Sequence, residues 1–241
     1  ARETFDWSEL CRIQIPLPSI EVQRELVDTY NGLKALAEQN EALIEPLNQA
    51  CQAYIVDCKK KYPEVELGEY IEEVNEKNRD LKYEFKDARG VYSNGTFGET
   101  LANLEGSNLT SYKVVKTGEF AYSNRINIGS IARNNGKDVI VSPSYTVFKI
   151  KSKELMPEFL FIFLRRNEFL RSTLFFAIGT IKDDFSYDRM AEIRIPLPPP
   201  EVQEAIVNLY HCAEEAKKIV TEARELMKTL CPALVQKAIH S

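Results

Sequence analysis

Apolar residues recur in alternate steps of four and three over two long stretches of the chain. In the first, Leu26, Tyr30, Leu33, Ala37, Asn40, Ile44, Leu47, Cys51, Tyr54 and Cys58 form a heptad seam of more than four repeats. In the second, Ile206, Leu209, Ala213, Ala216, Val220, Ala223, Met227, Leu230 and Leu234 do the same. Each pattern predicts a long helix, the first spanning roughly 60 Å at 1.5 Å per residue. The alanines of the second let a partner approach closely. The expected interface is Leu26, Tyr30, Leu33, Ala37, Ile44 and Leu47 against Ile206, Ala213, Val220 and Met227, in cis or from a second chain. A plain helical hairpin shares this pattern, but both seams are long and strict, which favours a coiled coil. Pro46 and Pro232 lack the helical donor and clash with the preceding turn, so each is expected to kink or interrupt its helix. Asn40 is polar at the seam; it either fixes register or marks a solvated edge.

Between these helices the period changes. Apolar alternation predicts strands over Tyr112–Lys116, Glu119–Tyr122, Ile126–Ala132, Asp138–Val141 and Tyr145–Ile150. Thr117-Gly118, Ser123-Asn124, Asn134-Asn135-Gly136 and Ser142-Pro143 separate them as turns. Leu67–Ile71 reads as a short helix or a strand plus helix. Pro157 opens an apolar helix, Phe159–Phe176, read as core.

The two helices begin on a duplicated element. Residues 13–30, IQIPLPSIEVQRELVDTY, and 193–210, IRIPLPPPEVQEAIVNLY, match at ten of eighteen positions with an offset of 180. The match extends back to Phe5 and Phe185 and forward to Cys51 and Cys231. The period is too long for a solenoid, so it marks a duplicated module boundary. Each copy predicts a short strand ended by prolines. The strand feeds a helix with Ser19 as N-cap in the first copy. Glu21 and Glu201 lie in the first turn, where the dipole favours an acid.

Charge sharpens this picture. The chain of 241 residues has a net charge of −5, which argues against a general polyanion binder. Residues 64–76 hold six acids and no base. Residues 106–182 hold twelve bases and five acids, a net +7. Turn-borne Arg, Asn, Ser and Lys in such a segment suit a nucleic acid, since phosphates need Lys and Arg and base edges need Arg and Asn. A solvated basic surface has the same composition.

Other chemistry is thinly represented. There is no G-x-G-x-x-G, P-loop, Asn-Pro-Pro-aromatic or H-E-x-x-H motif. His211 and His240 both fall in the second helix. Five cysteines without a C-x-x-C pair argue against a disulfide framework or a zinc site, and no metal site is expected. The first residues lack the apolar core of a signal peptide, and no run approaches a membrane span. A cytoplasmic protein with reduced thiols is the expectation.

The repeated Ile-x-Ile-Pro-Leu-Pro-x-x-Glu-x-Gln, at 13–23 and at 193–203, resembles the specificity subunit of type I restriction–modification enzymes. So does Tyr112-Lys113-Val114-Val115-Lys116-Thr117-Gly118-Glu119-Phe120-Ala121-Tyr122, similar to the family's Y-x-x-v-k-x-G-d-f strand pair. Gly129 and Val141-Ser142-Pro143-x-Tyr145-x-Val147-Phe148 resemble its later strands. The resemblance implies an α+β chain, with one mixed α/β target recognition domain flanked by two long antiparallel coiled-coil-forming helices. Its divisions are a tail of a preceding recognition domain at 1–18, spacer helix 1 at 19–62, the recognition domain at 63–198 and spacer helix 2 at 199–241. A full-length subunit carries two recognition domains, so this chain looks like a half-length subunit or a C-terminal half.

The resemblance further implies a non-catalytic chain that selects the DNA sequence, and a homodimer that reads an interrupted palindrome is the expectation. Methylation and restriction subunits are the expected partners. S-adenosylmethionine belongs on the methylation subunit, and no cofactor is expected in this chain. The candidate DNA contacts are Arg125, Asn127, Ser130, Arg133, Asn134, Asn135 and Lys137. Second choices are Arg89, Tyr92, Asn94, Thr180, Lys182 and Ser186. Lys137 and Lys182 suit phosphate; Arg and Asn suit base edges. Two other classes stay open on these residues: a coiled-coil scaffold or regulatory half subunit that reads no DNA, and a fragment of a fused methyltransferase–recognition protein.

Overall fold

The computed structural model describes residues 6–13, 17–100, 106–124, 130–169, 171 and 185–240. The chain divides into two compact units, residues 1–49 with 211–241, and residues 50–210. Five helices are used below: α1 (Trp7–Arg12), α2 (Ile20–Lys61), α3 (Pro157–Leu164), α4 (Tyr187–Ala191) and α5 (Pro200–His240). The strands are β1 (Glu64–Glu66), β2 (Ile71–Val74), β3 (Arg89–Val91), β4 (Phe97–Glu99), β5 (Lys113–Val115), β6 (Phe120–Ser123), β7 (Ile131–Arg133), β8 (Val139–Val141), β9 (Tyr145–Ile150) and β10 (Arg194–Pro196).

The first unit is an antiparallel pair made of the start of α2 and the end of α5. Glu41 and Arg224 pair across it at 2.6 Å, and Leu26, Val27 and Tyr30 face Cys231, Leu234 and Val235. The buried seam holds Ala37, Ala213, Ala216, Val220 and Ala223, so small side chains let the backbones close in. Ser19 Oγ accepts from the Val22 N–H at 3.4 Å, an N-cap bond. Of the two outcomes expected at Pro46 and Pro232, interruption does not occur: α2 runs for 42 residues and α5 for 41. Packing along a whole apolar stripe outweighs the cost of about 3 kcal/mol that an interior proline carries.

The seam also departs from the strict heptad at one place. Tyr54 is exposed and Ile55 is fully buried, so the steps run 51, 55, 58. An α-helix turns every 3.6 residues, so a straight helix drifts off a 3.5-residue repeat and swaps one seam position for its neighbour. Tyr30, placed at the seam by pattern, stays 46% exposed at its rim.

In the second unit, an antiparallel sheet of order β2-β9-β6-β7 is buried on both faces. Period-two alternation sends Phe120, Tyr122, Phe148 and Ile131 to one face and Ala121, Val147 and Ala132 to the other. Phe120 and Phe148 stack with centroids 4.9 Å apart. The aromatic face packs on α3 (Phe159, Leu160, Phe163) and on the unit's share of the long helices, Cys51, Ile55, Cys58, Ile206 and Val207. The small face packs on Val91, Val115 and Val141 from two-stranded ladders, β3-β4 and β5-β8. β1 pairs antiparallel with β10, Glu64 opposite Pro196.

The helix opened by Pro157 is shorter than its apolar run. It ends at Leu164, with Arg165 at φ −90°, ψ 0°. Just past this break the buried Arg166 guanidinium donates to Gln52 Oε1 at 2.8 Å and to Glu168 Oε2 at 2.7 Å. Lys59 also reaches Glu168, at 2.8 Å, and its hydrogen bond holds that carboxyl below the ordinary range. Of the rest of the expected helix, 167–169 and 171 are helical again, and 170 and 172–176 lie outside the described residues, as do Ile126–Gly129 of an expected strand.

Candidate nucleic-acid interface

Two turns of the basic segment are sewn into one platform. The Gly118 N–H donates to Asn134 O at 2.6 Å, and the Asn134 N–H donates to Glu119 O at 2.8 Å. Thr117 Oγ1 donates to Gly136 O at 2.6 Å, and the Thr117 N–H to Asp138 Oδ1 at 3.2 Å. Tyr83 Oη donates to the other Asp138 oxygen at 3.0 Å. Gly118 takes φ +89°, the left-handed region a glycine enters at no steric cost. The buried Glu119 carboxylate accepts from the Lys116 N–H at 2.7 Å, and burial lifts its pKa despite that bond. The platform leaves Asn135 and Lys137 exposed at its tip.

The β3–β4 hairpin is a second braced tip. Asn94 Oδ1 accepts from the Thr96 N–H at 3.1 Å and from Thr96 Oγ1 at 2.6 Å. Tyr92 Oη donates to Glu99 O at 2.7 Å, and its ring covers Gly98. Gly95 has φ +83°, and a Cβ there would meet Arg165 Nε at 2.7 Å.

These details sort the sequence candidates. Asn135, Lys137, Tyr92 and Asn94 are exposed on braced tips. Asn134 is corrected: it is buried, its Nδ2 donates to Val115 O at 2.9 Å and Lys137 O at 3.0 Å, and its Oδ1 accepts from the Gly136 N–H at 3.0 Å. Its amide is spent holding the turn and offers no edge to a base. Ser130 is also buried. Ser186 Oγ accepts from the Arg189 N–H at 3.5 Å as the N-cap of α4. Arg89 Nη1 donates to Lys86 O at 2.6 Å and Ala88 O at 2.9 Å, bracing its own strand. Arg133 ends edge strand β7 and pairs with Glu158 in the first turn of α3 at 2.5 Å. Arg125, Asn127, Thr180 and Lys182 lie outside the described residues. Sequence reading missed Thr117 and Asp138 as braces; the Thr-Gly turn was their one visible signal.

The basic segment is less basic in space than along the chain. β2 lies against β9 with Glu72 opposite Lys149, and these pair at 2.7 Å. Glu76 pairs with Lys116 at 2.5 Å. The acidic stretch thus neutralises part of the +7, and Lys137 keeps its place on the exposed tip. A cleft of about 390 Å³ lined by Lys59, Arg166, Glu168 and Arg194 has its first three charges paired with one another. Among the described residues no cluster of His, Cys, Asp or Glu is built to hold a metal, and no helix is long and apolar enough to cross a membrane.

The module is thus a two-sided sheet with braced polar tips beside it, and its first and last strands, β1 and β10, pair with each other. Residues 59–212 match the family of the type I restriction modification DNA specificity domain. That is well over half the chain, and the chain belongs to this family. It is a specificity-subunit domain of type I restriction–modification systems, the part concerned with DNA recognition. No curated protein matches it. Among solved structures it is similar to the type I restriction-modification S subunit of M. genitalium, at 14% identity, a TM-score of 0.54, and coverage of 91% of this chain and 61% of that one. It is also similar to the HsdS subunit of Thermoanaerobacter tengcongensis, at 18% identity, TM-score 0.46, covering 93% and 60%. At such identity the first likeness shows the shared fold of long helices flanking a sheet domain. The chain spans about 60% of the length of these structures.

Proposed function

We propose that this chain is the non-catalytic, sequence-reading subunit of a type I restriction–modification complex, in which methylation subunits modify adenine and restriction subunits cleave. The observation that carries the reading is the family match across residues 59–212, the stretch that holds both braced tips. The chain acts as a homodimer, each copy bringing one recognition domain (63–198) to one half of an interrupted palindrome. The spacer helices (19–62 and 199–241) set the unread gap, α2 being roughly 60 Å long. S-adenosylmethionine binds the methylation subunit, which takes the target adenine out of the stack.

One surface supports partner docking. In an antiparallel pair the two positions flanking the seam form two separate faces. One face carries the Glu41–Arg224 pair. The other is uncharged at every heptad step, Val22, Thr29, Leu36 and Leu43 on α2 and Cys212, Ile219, Leu226 and Ala233 on α5. Leu36, Leu43 and Leu226 are each more than 40% exposed there. An exposed apolar stripe on a charged protein is a place for another protein to bind.

The test is co-expression with the cognate methylation subunit, followed by mapping of modified adenines. A palindromic bipartite motif is the expected result. Methylation-subunit binding without any enriched motif, together with no selection from a duplex library, would instead show a scaffold that reads no DNA. Light scattering that gives a strict monomer on DNA would remove the homodimer.

A further inference from the structure

The stretch that leads from β2 to β3 is stitched to the β5–β8 ladder at both ends. Lys77 bridges to Lys113 of β5, and Ala88 bridges to Ile140 of β8. Between these points the Tyr83 ring packs on a small core of Ala88, Leu109, Val114 and Ile140, all buried. Asn78 is fully buried and its amide is spent on one residue. Nδ2 donates to Tyr83 O at 2.8 Å, and Oδ1 accepts from the Tyr83 N–H at 3.1 Å. The Asn78 N–H donates to Tyr112 O at 2.9 Å. A buried amide satisfied at both its ends holds the loop in one conformation.

Residues 79–82 form the outer turn of this loop. The Leu81 N–H donates to Asn78 O at 3.2 Å, and the Lys82 N–H donates to Asp80 Oδ1 at 3.4 Å. Leu81 takes φ +51°, and every other described residue with a positive φ is a glycine: Gly95, Gly106 and Gly118. In that region the Cβ of an L-residue crowds the neighbouring carbonyl, so the backbone disfavours leucine here. Packing does not call for it either. Leu81 is 55% exposed and lies outside the small core that Tyr83 joins. A branched apolar side chain is thus held out to solvent on a strained residue in a fixed loop. Strain of this kind persists where the surroundings over-determine it, and it gathers at functional positions.

The neighbours of Leu81 say what it meets. Arg79 and Lys82 flank it, both are exposed, and among the described residues neither is ion-paired. Lys82 Nζ lies over the Tyr83 ring, 5.3 Å from its centroid. The hydroxyl of the same ring holds Asp138, next to Lys137 at the platform's tip. The neutralisation of Lys149 by Glu72 and of Lys116 by Glu76 does not reach these cations. Asp80, the acid of the turn, is directed at the Lys82 N–H.

We propose that residues 79–82 are a third DNA-contacting element, in which Leu81 is an apolar finger set against a base in a groove and Arg79 and Lys82 hold the flanking phosphates. The inference rests on reading the module as one that reads DNA, and names residues for it outside the basic segment 106–182. Cations alone fix register on a duplex, since phosphates look alike in every sequence. An apolar side chain adds what they lack, because it tells a thymine methyl or an easily opened base step from the rest.

The test uses the 241-residue chain and a duplex bearing the motif that this chain enriches from a random library. Asparagine tolerates positive φ, so Leu81→Asn keeps the backbone and removes the apolar contact. Its melting temperature should match or exceed the parent's. Its affinity for the enriched duplex should fall about tenfold, while its affinity for a scrambled duplex barely changes. Leu81→Met keeps an apolar tip and should retain most of the parent's affinity. Arg79→Ala and Lys82→Ala should weaken both duplexes alike, each lowering the salt slope by about one. Affinity and motif unchanged in Leu81→Asn overturn the proposal, as does a loss that Leu81→Met shares in full. A lowered melting temperature for Leu81→Asn also overturns it, since Leu81 then serves the fold. Loss of the methylation subunit with the duplex retained would make the loop a protein contact and overturn it as well. A parent chain that enriches no motif sinks the DNA-reading of the module and this inference with it. A motif indifferent to Leu81 sinks this inference alone.

Discussion

Asn134 is the sharpest place to test whether the platform is braced as described. Replacing it with Ala removes two donors and one acceptor at a site that is 4% exposed. Val115 O, Lys137 O and the Gly136 N–H all lose a partner. A buried polar group left unsatisfied costs about 1–3 kcal/mol, less where water can enter. The Gly136 and Lys137 groups lie near the exposed tip and recover most of that from solvent. Val115 O belongs to β5 and does not. A loss of about 2–4 kcal/mol follows for Asn134→Ala. Asn134→Asp should cost more, because it sets a carboxylate against two carbonyl oxygens and must also be desolvated. Urea unfolding followed by circular dichroism measures both. With a slope of about 2 kcal/mol per molar, the Ala midpoint should fall by about 1–2 M. An Ala variant as stable as the parent that nonetheless lost its DNA motif would refute the reasoning and return Asn134 to the list of base readers.

The other outcomes are simpler to read. Lys137→Ala should weaken binding to all duplexes alike and lower the salt slope by about one; a loss confined to one motif would move Lys137 from phosphate to a base edge. Burial holds the Glu119 carboxyl above the ordinary glutamate range, so the folded state keeps that proton to higher pH than the unfolded chain does, and stability falls as pH rises through the interval. Glu119→Gln keeps an acceptor for the Lys116 N–H, so it should melt above the parent at alkaline pH, the gap closing towards about pH 4; a gap independent of pH would exclude this cause. Ala223→Leu overfills a seam residue that is 2% exposed and should cost about 1–3 kcal/mol by thermal melting, while an unchanged melting temperature would mean that the helices stand apart there.

What could be read from sequence alone was whatever local pattern determines. β9 is found at Tyr145–Ile150 as alternation and its flanking turn foretold, and both long helices are present. The misplacements are tertiary in origin. Tyr54 lost its seam place to Ile55 through the accumulated drift of a straight helix. α3 breaks at Leu164 inside one apolar run, beside an Arg166 that turns inward to Gln52, a residue remote in sequence. Asn-Asn-Gly announced a turn but not that Asn134 faces in and Asn135 out. The net charge of residues 106–182 overstated the basic surface, because the β2–β9 register that sets Glu72 on Lys149 is not written in either segment alone.

The short ladder between β1 and β10 has a further consequence. Glu64 stands opposite Pro196, so the polypeptide enters and leaves the sheet module on adjacent strands, about 5 Å apart. The ladder works as a clasp on a cassette. A domain exchanged there needs ends one strand spacing apart and an apolar face that covers Cys51, Ile55, Cys58, Ile206 and Val207 of the long helices. Replacement of the whole module at one clasp is then a shorter route to a new surface than residue-by-residue repair of an old one.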